Sequence, residues 1–244
     1  MKGGTSWRAG AVVALVLAGK LVAQDPPAPR PREFTSDLGF VSTAGNSQVT
    51  TFNLGEKLVL RAGRWEHKQQ IGSVYGSQDG QETSNLLFAN WRSDIALNKS
   101  LAIFGFAGYD RNTFAGISRR FEEALGVAAK LLSRDTDVWT AELGLAMNQQ
   151  RSVTDSATNF ASLRSGTSFR HYFSKASYFV QIVEYLPSFR VSEDYRINTE
   201  SAFVAPVSTH ISMKVGYTVR YDNLPEPGKV GSDRIFTSGL QFNW

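Results

Sequence analysis

This 244-residue chain contains no cysteine, so thiol nucleophiles, thiolate metal ligands and disulfides are excluded. The remaining groups able to move protons or bind metals are three histidines, His67, His171 and His210, and a set of carboxylates. No two histidines stand close in sequence, and no His-x-His spacing suggests a metal site. Asp94 and Glu142 have the chemistry of an acid–base pair, but no spacing singles them out. No glycine loop of the phosphate-cradling or dinucleotide type is present. These residues lead us to expect no catalytic centre, no metal and no cofactor.

Charged side chains do show a pattern. Lys57, Arg92, Asp94, Asp110, Lys130, Glu142, Arg164, Arg170, Lys214, Arg220 and Asp222 all fall on the polar side of segments that alternate apolar and polar residues. Both signs occur, which suits either a charge network filling an interior or the lining of a narrow polar passage.

The elements that must carry these charges have a period of two. Trp139, Ala141, Leu143, Leu145 and Met147 alternate with Thr140, Glu142, Gly144, Ala146 and Asn148. Val215, Tyr217, Val219 and Tyr221 alternate with Lys214, Gly216, Thr218 and Arg220. About twelve such segments are expected, starting near Ser36, Gln48, Trp65, Thr83, Leu101, Arg119, Val138, Asn159, Ala176, Ile197, Ile211 and Asp233. Tight connections (Gly63, Lys99, Arg134-Asp135, Ser174-Lys175, Ser208-Thr209) alternate with longer or Gly/Pro-rich ones (Ala44 to Ser47, Ser77 to Glu82, Phe114 to Arg119, Arg151 to Thr158, Val191 to Tyr195, Asn223 to Ser232). An even number of strands with short turns on one side and longer loops on the other is the plan of a bacterial outer-membrane barrel. On that plan all three histidines lie at the short-turn rim. Aromatics near strand ends (Phe40, Trp65, Tyr75, Tyr109, Trp139, Tyr172, Tyr178, Tyr185, Tyr217, Tyr221) suit a membrane–water interface.

Residues 1–23 have the charge order of a signal peptide: Lys2 and Arg8, then the apolar run Ala9 to Ala18, then Leu21-Val22-Ala23 before Gln24. The apolar run is too short to span ~30 Å of hydrocarbon. Val16-Leu17-Ala18 is a second place for cleavage. Residues 24–35, with four prolines between Gln24 and Arg32, read as a periplasmic linker, and residues 36–244 as the barrel. The formal charge of +4 comes from 26 basic and 22 acidic residues. Three of the basic ones lie in the first 23 residues, which hold no acid, so 23 basic remain against 22 acidic. Without a basic face, nucleic-acid binding is not expected.

Phe236, Leu240, Phe242 and Trp244 share one face of the last segment. A terminal aromatic preceded by alternating apolar residues resembles the signal read by barrel-assembly machinery. Three stretches resemble a known family: Gly39 to Ser47 (GFVSTAGNS), Tyr109 to Arg120 (YDRNTFAGISRR) and Tyr217 to Asp233 (YTVRYDNLPEPGKVGSD). The chain is similar, from about Asp37 to Trp244, to the outer-membrane family known as domain of unknown function 481, which includes a salt-induced outer membrane protein. The resemblance implies an outer-membrane barrel and carries over no catalytic residue. Gly45-Asn46 suits a tight turn. Asp110, Arg111, Arg119 and Arg120 are read as pairing across one loop, with divalent ions or lipopolysaccharide phosphates as the other reading.

The sequence therefore predicts an all-β fold: an up-and-down antiparallel transmembrane β-barrel of about 12 strands behind an N-terminal signal peptide. It is expected in the outer membrane as a monomer, in contact with outer-membrane lipid and lipopolysaccharide and handled by the assembly machinery. Its expected role is non-enzymatic: structural, envelope-stress, or a narrow passive channel for small polar solutes. A lipid-modifying enzyme and a soluble periplasmic binding barrel are the alternatives.

Overall fold

The computed structural model describes residues 31–43, 49–113, 115–154 and 156–244. The signal-peptide segment and the Gly45-Asn46 turn lie outside the described residues. The strands are β1 (Arg32–Thr43), β2 (Val49–Ala62), β3 (Trp65–Gln78), β4 (Gln81–Ala96), β5 (Leu101–Asn112) and β6 (Ile117–Ser133). They continue as β7 (Asp137–Ser152), β8 (Ala157–Tyr172), β9 (Tyr178–Pro187), β10 (Tyr195–Pro206), β11 (Ile211–Asp222) and β12 (Ser232–Asn243). Each pairs antiparallel with its sequence neighbour, and β12 pairs with β1 to close the barrel.

Eleven of the twelve strands start within about two residues of the expected positions. Strand β1 starts at Arg32, four residues before Ser36, because Arg32 to Phe34 extend the ladder against Leu60 to Leu58 of β2. Residues 32–35 thus belong to the wall and not to the linker. The closing seam is short, with register from Thr35↔Asn243 to Leu38↔Leu240. It is extended by the bond that the Trp244 N–H donates to the Phe34 carbonyl at 2.9 Å.

We call the end where β1 begins proximal and the opposite end distal. The distal β3–β4 connection is tighter than expected. Asp79 (φ 50°) and Gly80 (φ 77°) make a two-residue turn, because Asp-Gly tolerates positive φ at both central positions. The marked difference between ends comes from the distal loops 188–194 and 223–231. The latter folds inward, and Glu226 accepts a bond from Gln150 at 3.1 Å.

One face of each strand points out. Leu125 (71 % exposed), Leu143, Leu145, Met147, Phe203, Met213 and Phe236 form an apolar outer surface. The other face points in, where the core is a layer and not a filled sphere. Phe104 is fully buried, with Ala124 and Ala146 beside it. Its ring lies flat because β6 and β7 have no side chain beneath it. A Cβ on Gly126 would stand 2.4 Å from the Leu143 carbonyl oxygen and 2.7 Å from the Phe104 ring. The Leu143 oxygen and the Gly144 Cα, 2.6 Å away, are backbone atoms that cannot move without breaking the ladder, so Gly126→Val is expected to cost ~1–3 kcal/mol or more. The check is the urea midpoint of the heat-modifiable band on semi-native gels; an unchanged midpoint contradicts the packing.

Candidate functional site: the barrel lumen

The interior divides into two walls. Strands β4 to β10 carry the buried part of an ion-pair network that runs on at the proximal end through β3 to β2 and β1. Arg164 donates to Glu122 at 2.7 Å, to Glu142 at 3.2 Å and to Glu184. Glu142 also receives Arg92 of β4, which reaches it over the flat Phe104 ring. Arg92 holds Asp94 at 2.9 Å, and Lys68 binds both Asp94 at 3.3 Å and Glu66 at 2.7 Å. Arg61 continues the chain to Glu66 at 2.6 Å and Glu33 at 2.7 Å. At the other end Arg196 bonds Asn148 at 2.9 Å and lies 3.5 Å from Glu122. The guanidinium of Arg164 stacks on Phe106 at 4.2 Å. Charges this crowded persist only because each donor and acceptor is met.

The wall formed by β1, β2, β10 and β11 is wetter. The side chain of Arg164 is 8 % exposed, whereas those of Lys214, Asp37 and Glu200 are 25 %, 31 % and 33 % exposed. Lys214 bonds Asp37 at 2.6 Å and lies 3.8 Å from Glu200. Lys57 points inward from β2 by the same parity as buried Val59, yet it is exposed to water. The charges acting on it are Arg170, Lys68, Glu200 and Lys214. Arg170 stacks on Tyr178 at 4.8 Å and donates to the Tyr172 hydroxyl at 3.2 Å. Neither Lys57 nor Arg170 forms a close ion pair among the described residues, although Glu200 acts on Lys57 and Glu33 on Arg170.

Of the charges expected inside, Arg92, Asp94, Glu142 and Arg164 share one network. Lys214 joins the wet wall, and Asp110 pairs with Arg220 at 2.7 Å. Asp222 faces inward at the distal rim and accepts the Leu224 N–H at 3.0 Å. Lys130 keeps the inward parity, opposite Thr140 and just before a β-bulge, and is exposed at the proximal end outside the network. Sequence reading missed Glu122, Glu184, Arg196, Lys68, Glu66, Arg61, Glu33, Asp37 and Glu200. Counting by twos from Lys130 and Lys57 reaches Glu122 and Arg61; the others lie on β1, β3, β9 and β10, where no residue was assigned inward. Tyr172 and Tyr178 face inward and do not join the interfacial aromatics.

The motif YDRNTFAGISRR does not pair across its own loop. Asp110 points in to Arg220, and Arg120 points in to Gln150 at 2.8 Å. Arg111 and Arg119 are exposed. The histidines sit at the proximal end as expected. His67 stacks on Trp65 at 5.7 Å, His171 bonds Asp137 at 2.8 Å, and His210 lies beside Trp244. Phe236, Leu240, Phe242 and Trp244 all lie on the outer face, the last two lining a groove with Phe34.

A closed antiparallel barrel with an apolar exterior and a charged interior is the outer-membrane type of β-barrel. The chain belongs to the family described as protein of unknown function, DUF481, which matches residues 36–244. No curated protein matches it. Among solved structures it is similar to the translocator domain of the autotransporter NalP from Neisseria meningitidis. The identity is 8%, the coverage 88% of this chain and 89% of that chain, and the TM-score 0.51. The NanC porin gives 8% identity, coverage of 86% and 97%, and a TM-score of 0.48. The KdgM porin gives 10%, 86% and 98%, and 0.44.

Proposed function

We propose that the protein is a monomeric outer-membrane channel, non-enzymatic, passing small polar solutes through a lumen filled on one side. The observation that carries this reading is the contrast between the two walls. Arg164, Glu122 and Arg196 are buried, while Lys57, Lys214, Asp37 and Glu200 stay in contact with water. Twelve strands lie between the eight that side chains fill and the 16–18 that leave an open pore. A partial filling leaves a narrow passage along β1, β2, β10 and β11. The apolar exterior supports membrane placement, since a surface of this extent in water is an aggregation hazard. The proximal end then faces the periplasm, and the outward Phe236, Leu240, Phe242 and Trp244 are available to assembly machinery.

Conductance of the purified protein in planar bilayers tests the reading. Small discrete steps are expected, because the passage is narrow and charged. Silent membranes at high protein load would leave a plugged, structural barrel instead.

A further inference from the structure

The outer surface carries a site that the channel does not use. Arg111 on β5 lies on the same face as exposed Leu87, with which it is in register. Arg119 on β6 stands directly opposite Arg151 on β7. All three have the parity of the outward residues Tyr109, Phe121 and Met147. Arg111 and Arg119 are exposed and lie two residues distal to Tyr109 and Phe121, whose rings pack at 5.1 Å. An aromatic pair at that place marks the level where hydrocarbon gives way to headgroups. Arginines just beyond it sit at the depth of lipid phosphates, which guanidinium groups bind through paired N–H donors.

Immediately proximal to this cluster, and on the same strands, the outer wall is hollow. Gly105, Ala107 and Ala161 floor a groove of about 930 Å³ walled by Trp91, Leu125, Leu145, Met147 and Phe189. Its volume is at the upper end of the ~300–1,000 Å³ typical of small-ligand pockets. Glu123 opens into it between Phe121 and Leu125, and makes no hydrogen bond or ion pair among the described residues. A carboxylate on a lipid-facing surface is costly unless it has a partner. Acyl chains alone offer it none; a lipid with hydroxyl or amide donors where its chains meet its headgroup does.

We propose that this face is a binding site for one phosphorylated glycolipid of the outer leaflet, lipopolysaccharide. Arg111 and Arg119, beside Arg151, hold its phosphate, Glu123 accepts a bond from the chain–headgroup junction, and an acyl chain fills the groove. The inference rests on the outer-membrane placement proposed above, with distal as the external side.

The test uses the full-length protein purified in mild detergent, with native mass spectrometry reading retained lipopolysaccharide and titration of added lipid A giving Kd. Wild type is expected to bind lipid A in preference to phosphatidylglycerol. R111A/R119A is expected to weaken lipid A binding by roughly tenfold for each arginine removed. Gly105→Leu fills the groove. The site has room for a Cβ, whose nearest neighbour, the Leu125 side chain, lies at 3.6 Å, so folding is preserved. This variant should also lose lipid A, while Arg234→Ala on β12 keeps it. Undiminished lipid A binding by both site variants, or equal binding of phosphatidylglycerol by wild type, overturns the proposal. Envelope fractionation of the same strains separates the two readings. Protein recovered outside the outer membrane defeats the placement itself, whereas outer-membrane protein with unaltered lipid binding defeats only this site.

Discussion

Arg164→Met is expected to destabilise the barrel by about 3–5 kcal/mol, the cost of removing one partner from a buried ion pair. One guanidinium here answers three carboxylates, Glu122, Glu142 and Glu184. Glu122 has a second cation in Arg196, 3.5 Å away, and Glu142 a second in Arg92. Glu184 keeps only the neutral Asn198 amide at 3.1 Å among the described residues. The methionine retains much of the packing on Phe106, so the loss reports charge and not volume. The measurement is the urea midpoint of the heat-modifiable form, compared with wild type and with Arg164→Lys. Lysine restores the charge but cannot fork to three acceptors, so it should recover part of the loss. Adding Glu184→Gln to Arg164→Met should recover stability as well, because a neutral amide removes the carboxylate left without a cation. A midpoint unchanged in Arg164→Met would mean that lumen water screens the carboxylates, and that the wall called packed is wet.

How the network was missed in the sequence, and how the barrel was not, follows from the range of each signal. Alternation is local. Val215, Tyr217, Val219 and Tyr221 announce a strand and its two faces without reference to any other segment. Closure needs only that every strand pair with its neighbours, which an even series of similar strands supplies. Partner choice is different in kind. Arg92 reaches Glu142 three strands away because Phe104 lies flat on Gly126 and Gly144 and leaves the space above it clear. No pattern within one strand states that. Lys130 shows the same limit on a smaller scale: alternation sets its face, opposite Thr140, but does not say that it stays outside the network. The four charges of YDRNTFAGISRR read as one cluster along the chain, but two-residue periodicity sends Asp110 and Arg120 into the lumen and Arg111 and Arg119 to the outside. There the sequence held the answer, and proximity along the chain obscured it.

The wet wall gives the sharpest functional expectation. Lys57 and Arg170 face the lumen outside any close ion pair among the described residues, while Arg92, Arg164 and Arg196 of the packed wall are ion-paired. A solute following β1, β2, β10 and β11 therefore meets net positive charge, and wild type should favour anions over cations in a salt gradient. Coulomb's law gives ~1 kcal/mol for unit charges at ~4 Å in water. Lys57→Glu changes the local charge by two units, so the chloride-to-potassium permeability ratio should fall by about tenfold or more, and the reversal potential should change sign. Lys57→Met should fall between the two. Raising the salt to ~1 M, where the Debye length shrinks to ~3 Å, should collapse the difference. The lysine is exposed and makes no ion pair among the described residues, so neither substitution should alter heat modifiability, and a folding defect cannot mimic the result. Equal conductance with an unmoved reversal potential in Lys57→Glu would show that current takes another route. The packed wall would then have to yield, and Arg92 and Arg164, whose partners hold it shut, would become the residues that set what passes.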